Sequence, residues 1–388
     1  MLGLTVANSL RLLGHEVQII SEQEMSDAAA QRDPKFASAF PAASIIPHTV
    51  DTEDLKQLVS GSDKIFEVLA DMQSTGVRLQ RHFELSENAS PVPEYARLLR
   101  GFQIHESGSD TVPIRRSGAT SVHGVSFNCF FCNMPRYGPW LDKLRGGLEV
   151  AVERRHLTVS TLRRIKAEVI VNCLGAGASS VFAELSPGIS VRGILLLCDY
   201  DAPNAPPQSY NYTPDYSVYP GSDGEPADVY FYPREGQCIL GGTRQRGTVA
   251  HDTGQFIPDQ PLQGELTSVF GVSVPKPIID LNRELVRQLT GVELGPPTKV
   301  LIGLRHMDVD PQTGKGKVTI APRQVPDGPP VIDCFGFGGA GVTLSWGAAA
   351  RVVAAVEELM TGRADRTPAE CTDEISDRLT TYLRKEKK

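Results

Sequence analysis

A chain of 388 residues with 40% hydrophobic and 22% charged residues has the composition of an ordinary globular protein, large enough for one big domain or two interleaved ones. Its formal net charge of −7, with Lys and Arg spread along the chain, argues against nucleic acid or an anionic membrane surface as partner. No apolar run has the length of a membrane span, the opening residues do not read as a secretory signal, and seven cysteines without regular spacing suit a reducing compartment better than a disulfide framework.

In chain order, Leu2 to Leu13 reads as an amphipathic helix stopped by Gly14, and Val17–Ile20 as a strand closed by Ser21 and Glu22. This is the second half of a dinucleotide-binding βαβ unit, in which the Glu22 carboxylate would accept ribose hydroxyls. The first strand and the first two glycines of the G-x-G-x-x-G fingerprint would precede Met1, leaving Gly3 as the third. Residues 36–48 are rich in small side chains and neither helical nor alternating. Asp54 to Thr75 carries two helical patterns, and Val77–Leu79 and Phe102–Ile104 are short alternating runs. Cys129-Phe-Phe-Cys132 has redox or metal spacing, but neither a second pair nor a histidine cluster accompanies it, so it reads as structural and no metal site is expected.

Pro139 to Leu144 is expected to be helical and Leu148–Val152 a strand. Glu168 to Cys173 is an apolar strand running into the turn Gly175-Ala-Gly177. Gly193–Cys198, Val229–Tyr232 and Cys238–Arg244 read as antiparallel strands, separated by a loop rich in Pro, Gly and Asp between Asp201 and Asp228. Leu281–Thr290 is helical and Val300–Arg305 a strand. The strand Val331–Phe335 then leads through glycines 336, 338, 339 and 341 into a helical pattern from Val342 to Gly362. Strand, glycine turn and helix together aim backbone N–H groups and a positive helix end at an anion.

Several separate segments, in order, carry a resemblance: Gly3-Leu4-Thr5, Phe36-Ala-Ser38 through Ile46-Pro-His-Thr49, Val171-Asn-Cys-Leu-Gly175, Arg192-Gly193, Tyr230-Phe-Tyr-Pro233, Leu240-Gly-Gly-Thr-Arg-Gln245, Gly303-Leu-Arg305 and the stretch Gly336 to Gly347. Over nearly its whole length the chain resembles the D-amino-acid oxidase / D-aspartate oxidase family of FAD-dependent oxidases. The resemblance implies an α/β fold: a Rossmann-type FAD-binding domain, here N-terminally truncated, interleaved with a substrate domain on a large mixed β-sheet. Residues 1–50, 130–190 and 325–388 would form the first, and 51–129 and 191–324 the second. The implied reaction is oxidative deamination of a D-amino acid to the 2-oxo acid and ammonia, with O₂ reduced to hydrogen peroxide.

An amino acid needs a cation for its carboxylate, and a guanidinium at Arg305, at the end of an apolar strand, can pair in bidentate fashion. The resemblance makes Arg305 the carboxylate clamp, helped by the Tyr230 hydroxyl, with the Gly339 carbonyl accepting from the substrate amine. Hydride transfer from Cα needs no protein acid or base if the amine enters neutral, so positioning would supply most of the catalysis. Charge developing on the flavin would be met by a helix N-terminus at Gly341-Val342-Thr343. Ala43 and Ser44 would pass near the flavin ring, and Gly3, Leu4, Ser38, Leu157, Gly175 and Gly338 complete the implied FAD contacts. His48 and Arg244 match positions of the D-aspartate oxidase branch that look toward a side-chain carboxylate. They imply an acidic substrate, D-aspartate before D-glutamate, although Arg244 and Arg246 share the period of one strand face and also read as solvated edge residues.

The chain departs from the family pattern at Ile194, at Ala340 and at His306-Met-Asp308. Two alternatives stand beside the main reading: a truncated, non-catalytic homologue with weak FAD binding, and an FAD oxidase for another small amine or a neutral D-amino acid. The partners implied are a small D-amino acid and O₂, in a monomer or homodimer. The tail Leu383 to Lys388 is not a Ser-Lys-Leu type address, which favours the cytoplasm over the peroxisome.

Overall fold

The structure, a computed structural model, describes residues 1–386 except 49, 51, 163, 183–184, 186–187, 203–205, 222–223, 251–254, 310–315 and 327. Thr49 of the Ile46–Thr49 motif and the last two lysines of the charged tail therefore lie outside the described residues. The chain folds as two compact units. The first comprises Met1–Arg78, Met134–Ile189 and His306–Lys388, the second Leu79–Asn133 and Ser190–Arg305.

The first unit is α/β. Its opening helix, Leu2–Leu12, buries Val6, Leu10 and Leu12, and the chain turns beyond it at Gly14, whose φ of 97° suits a residue without Cβ. The strand Gln18–Ser21 pairs in parallel with Ala151–Arg154. Ile170–Asn172 pairs in parallel with Val331–Phe335, which runs antiparallel to Thr319–Arg323. Among the described residues these strands form two separate small sheets, where a dinucleotide-binding fold is expected to have one continuous parallel sheet. The second sheet is tied by Asp333, which is 4% exposed and receives Arg323 through both carboxylate oxygens at 2.7 and 2.9 Å and Asn172 Nδ2 at 2.8 Å.

Three helices, Leu55–Ala70, Ser345–Thr361 and Pro368–Glu386, pack together in this unit. Their closest approach depends on two glycines. A Cβ on Gly347 would lie 2.1 Å from the Leu58 carbonyl oxygen, one on Gly61 would lie 3.1 Å from Gly347 Cα, and the Gly347 N–H donates to Ser62 Oγ at 2.9 Å. Trp346 is fully buried beside them, its Nε1 donating to the Tyr137 hydroxyl at 2.9 Å. This packing places residues 51–78 in the first unit, not in the substrate domain expected from the sequence, and residues 306–324 also belong to it. The two helical patterns of residues 54–75 are one helix followed by a short turn, Gln73–Thr75. The strand expected at 148–152 begins at Ala151, because Val150 N–H bonds back to the Arg145 carbonyl and Glu149 takes a φ of 58° to close the preceding helix, Met134–Gly147.

The second unit is built on a large mixed sheet. Its strands run, edge to edge, Phe256–Pro258, Gln245–Val249, Ile189–Asp199, Gln237–Gly241, Val229–Pro233, Gln208–Thr213, Val77–Ser86, His123–Cys132 and Arg100–His105. All but one of the described pairings along it are antiparallel, the parallel one being Val77–Ser86 with Gln208–Thr213. The strand Lys299–Val309 pairs with Ile189–Asp199. The helix Pro277–Thr290 covers the sheet, burying Ile278, Leu285 and Val286 against Leu196, Tyr210 and Phe231. Cys129 and Cys132 are buried in a strand, and among the described residues no group of His, Cys, Asp and Glu could hold a metal ion. No described helix is long and apolar enough to cross a membrane.

Candidate active site

In the second unit, Tyr230 and Arg305 are set by their neighbours' lack of side chains. Tyr230 lies opposite Gly241 across the pair of strands Val229–Pro233 and Gln237–Gly241. A Cβ on Gly241 would come within 2.2 Å of the tyrosine ring and one on Gly242 within 2.1 Å, so both glycines are the floor on which the ring rests. That floor is fixed from below: Tyr219 donates to the Gly242 carbonyl at 2.8 Å and Asn282 to the Gly241 carbonyl at 3.3 Å. Gly193 does the same for Arg305, whose Nη2, Cζ and Nη1 would lie 2.8, 3.1 and 3.2 Å from a Cβ there. Arg305 Nη1 donates to the Thr243 carbonyl at 3.4 Å, and Thr243 Oγ1 in turn accepts from the Ile194 N–H at 2.8 Å. Arg305 stands in the middle of the strand Lys299–Val309, not at a strand end as the sequence suggested, because pairing continues through the His306–Asp308 segment.

The Tyr230 phenol is pushed above its ordinary range by burial, with the positive charge of Arg305 pulling the other way. It therefore keeps its proton at neutral pH and remains a donor beside a fixed cation. A donor and a guanidinium on one face are suited to a carboxylate.

Arg244 lies in the same unit and is no plain edge residue. Its Nη2 is 3.0 Å from Asp228 Oδ1, and this carboxylate, 6% exposed, raises the guanidinium's affinity for its proton. Arg246, on the strand Gln245–Val249, is exposed. Asp228 Oδ2 accepts from Asn211, whose own oxygen accepts from the Tyr232 hydroxyl. Glu84 is near: both its oxygens accept from Tyr95 at 2.7 and 2.8 Å, and burial pushes its carboxyl up to about 7, the Asp228 charge adding to the effect and the Tyr95 bond opposing it. Asp228 was missed from the sequence. The signal was present, since 228, 230 and 232 alternate onto one face and an acid two residues before a site tyrosine points the same way.

The first unit carries the expected cofactor residues. Ala43 is buried with a φ of 66°, and the next residue's hydroxyl, Ser44 Oγ, is buried without a partner among the described residues. Gly338 opens a short turn, Gly338–Ala340, and Gly339 within it is exposed. The long helix begins at Ser345, three residues later than the sequence suggested, because positive φ at Gly336 and Gly338 winds the chain into turns first. Within those turns Val342 is buried, Thr343 Oγ1 donates to the Ile46 carbonyl at 3.3 Å, and the N–H groups of Val342 and Thr343 have no acceptor among the described residues. A polar atom buried without a partner, N–H groups without acceptors and the bare backbone at Gly338 and Gly341 fit a flavin nucleotide.

Gly3, within the opening helix, faces Cys173 with 3.6 Å from its Cβ position to the cysteine Cβ, and Leu4 beside it is half-buried. Ser38 Oγ accepts from the Met1 amino group at 2.8 Å, an amine that burial pushes down to about 6 against the opposing effect of Cys173. Gly175, with φ 57°, starts the turn that follows the strand Ile170–Asn172. Glu22 stands exposed just beyond Gln18–Ser21 and pairs with His156 Nδ1 at 3.1 Å, while Leu157 packs against the cluster of Leu162, Val181, Phe182 and Val331. His48 is exposed in a turn of this unit, whereas Arg244, its expected companion, belongs to the other.

Residues 142–355 match the family described as DAO, FAD dependent oxidoreductase. The chain belongs to that family. It is 27% identical over 358 residues to a D-amino-acid oxidase of Rubrobacter xylanophilus, covering 91% of this chain and 92% of that protein. It is 26% identical over 224 residues to the D-aspartate oxidase of Homo sapiens, covering 55% and 59%. Among solved structures, glycine oxidase from Geobacillus kaustophilus shares the fold with a TM-score of 0.61 at 15% identity, over 93% of this chain and 92% of that one. FAD is the cofactor of the family, and amino-acid oxidation is the chemistry common to these relatives.

Proposed function

We propose that this family member catalyses FAD-dependent oxidative deamination of a D-amino acid to the 2-oxo acid, ammonia and hydrogen peroxide, with acidic side chains preferred and D-aspartate ahead of D-glutamate. The observation that carries the reading is the Tyr230–Arg305 pair on its floor of Gly193, Gly241 and Gly242, a preformed receptor for an α-carboxylate. Holding that carboxylate fixes Cα, and orientation of this kind supplies much of the rate in a reaction that asks no proton transfer of the protein beyond receiving a neutral amine. Bound FAD supplies the acceptor for the electron pair leaving the Cα–H bond. The first unit's part is to hold the cofactor through Gly3, Ser44, Gly175 and Gly338–Thr343, and to offer the N–H groups of Val342 and Thr343 to developing negative charge. The Gly339 carbonyl is the acceptor proposed for the substrate amine.

The acidic preference rests on Arg244, with His48 as the second residue proposed to face the substrate side chain. A second reading, a neutral D-amino acid or another small amine, is favoured by one observation: Asp228 already compensates the Arg244 charge. The test is flavin absorbance and peroxide release from D-aspartate and D-alanine, for the chain and for a form carrying a strand with Gly-x-Gly ahead of Met1, each with and without Arg244→Ala. D-aspartate turnover lost on Arg244→Ala supports the acidic reading. Equal turnover of both substrates, unchanged by the substitution, refutes it and leaves the neutral reading. Two colourless, inactive forms refute oxidase activity itself.

A further inference from the structure

We infer that Cys173 and Cys334 form a peroxide-oxidisable pair at the base of the first unit's glycine turns, Cys173 being the sulfur attacked and Cys334 the one that closes a disulfide with it. The oxidant is hydrogen peroxide from any source, so the inference does not depend on the proposed oxidase activity; an oxidase would release the same reagent itself.

Cys173 follows directly on the strand Ile170–Asn172, and Cys334 lies within its parallel neighbour, Val331–Phe335. The register pairs Asn172 with Asp333, and these two side chains meet on one face, Asn172 Nδ2 donating to Asp333 Oδ1 at 2.8 Å. Successive side chains along a strand point to opposite faces, so the next residue of each chain, Cys173 and Cys334, shares the other face. Residues side by side on adjacent strands have Cα atoms about 5 Å apart, a separation a disulfide spans. The opening helix meets Cys173 at Gly3, a residue without a side chain, whose Cβ position is 3.6 Å from the cysteine Cβ.

The two sulfurs are not equivalent. Of the seven cysteines, all of them described, Cys173 alone is not buried, whereas Cys334 is 0% exposed. The Cys334 thiol is pushed well above its usual range, first by its hydrogen bond with Cys173 and then by burial. Cys334 therefore holds its proton, and Cys173 is the residue that solvent and a small oxidant reach. The Cys173 thiolate attacks one oxygen of hydrogen peroxide, the O–O bond breaks, and the departing hydroxide leaves as water with the proton the thiol gave up. Sulfur now carries the oxidation as a sulfenic acid. The Cys334 sulfur attacks it, the S–O bond breaks as the S–S bond forms, and the second hydroxide takes the Cys334 proton. Two thiols are oxidised and one peroxide is reduced to two waters. The bridge would join the two strands just ahead of the turns at Gly175–Gly177 and Gly336, and so tie together the turns proposed to hold FAD.

The chain contains its own control. Cys198 and Cys238 also face each other across a ladder, but they are 1% and 0% exposed, which is proximity without access. The full chain, with FAD added, is treated with hydrogen peroxide, quenched with catalase, then denatured, alkylated and mapped by peptide mass spectrometry. The expected result is two fewer alkylated thiols than in the untreated chain, a Cys173–Cys334 linkage within one chain, and recovery of both thiols on reduction with dithiothreitol. Cys198 and Cys238 are expected to stay alkylatable. Cys334→Ala is expected to stop at a sulfenic acid on Cys173, captured by dimedone, and Cys173→Ala to leave Cys334 unoxidised.

Survival of all seven thiols in the unsubstituted chain overturns the inference, as does a bridge between other cysteines or between two copies in place of this one. Oxidation of Cys173 without a bridge overturns the pairing, and a sulfenic acid on Cys334 in Cys173→Ala overturns the assignment of roles. Should a variant fail to fold, the unsubstituted chain decides: the linkage within one chain supports the pair, and its absence overturns it.

Discussion

Substituting Gly193 by alanine tests the carboxylate receptor without touching a residue proposed to bind. The added methyl would sit 2.8 Å from Arg305 Nη2 and 3.1 Å from Cζ. Ordinary contact begins near 3.4 Å, so the guanidinium must retreat by about 0.6 Å at least, and a shift approaching ~1 Å in a positioning group can cost on the order of 100-fold in rate. The fold should tolerate the change, because the obstructed atoms are the far end of a flexible side chain and Gly193 has no positive φ to lose. Replacing glycine at a compatible position even adds about 0.4–1 kcal/mol by restricting the unfolded chain. The expected result is therefore a protein of equal or slightly greater stability in urea whose affinity for succinate and propanoate falls together, by roughly 10- to 100-fold. Unfolding free energy and calorimetric titration, measured on the same preparation, report the two quantities. Unchanged affinity for both acids in a stable Gly193→Ala protein would refute the assignment of Arg305 as the clamp. Loss of the fold would instead refute the claim that the arginine can retreat.

Gly347→Ala should behave oppositely, since its methyl would meet the Leu58 backbone carbonyl at 2.1 Å and the first unit's helices must separate. A loss of about 1–3 kcal/mol in urea unfolding is expected, and no measurable loss would mean the helices are not locked at this crossing. Glu84→Gln should show a pH-dependent gain. Glu84 is raised from 4.5 to about 7, so the folded state holds this proton more tightly than the unfolded one, and native stability declines as pH rises from about 4.5 to 7 and then levels. With a side chain only 12% exposed, the full shift corresponds to about 3 kcal/mol by which Glu84→Gln should outlast the native chain at pH 8 relative to pH 4. An identical stability difference at both pH values would refute the buried, protonated state of Glu84.

Much of this architecture is legible from local pattern alone. The opening helix with its glycine stop, the strand Val331–Phe335 and the antiparallel strands around Tyr230 follow from periodicity and turn residues. Boundaries shift where a local bond outweighs the pattern, as at Glu149, whose left-handed turn delays the next strand, and at Gly336–Ala340, whose turns delay the last long helix. The domain boundary was misplaced for a different reason. Residues 51–78 join the first unit through Gly61 and Gly347, and contact between two glycines distant in sequence leaves no apolar signature. Within the site, Arg305 and Tyr230 stand out by residue type, but Asp228 closes a loop rich in Pro, Gly and Asp where one more acid looks like solvated surface. What makes it different is burial and the bond from Asn211 on another strand, 17 residues earlier, neither of which residue type alone reveals.

The glycine floor has a consequence for how such a receptor can change over generations. Position 193 admits no side chain while Arg305 keeps its place, and positions 241 and 242 admit none under the Tyr230 ring. Reversal at these sites is therefore harder than loss. Carboxylate binding can be lost at the glycine or at its bulky neighbour, but once both have changed, restoring the larger residue alone no longer rebuilds the receptor. A lineage that abandons carboxylate binding and then lets its glycines be replaced would be held from return by the small positions. The glycines thus act as a ratchet on the ancestry of the site.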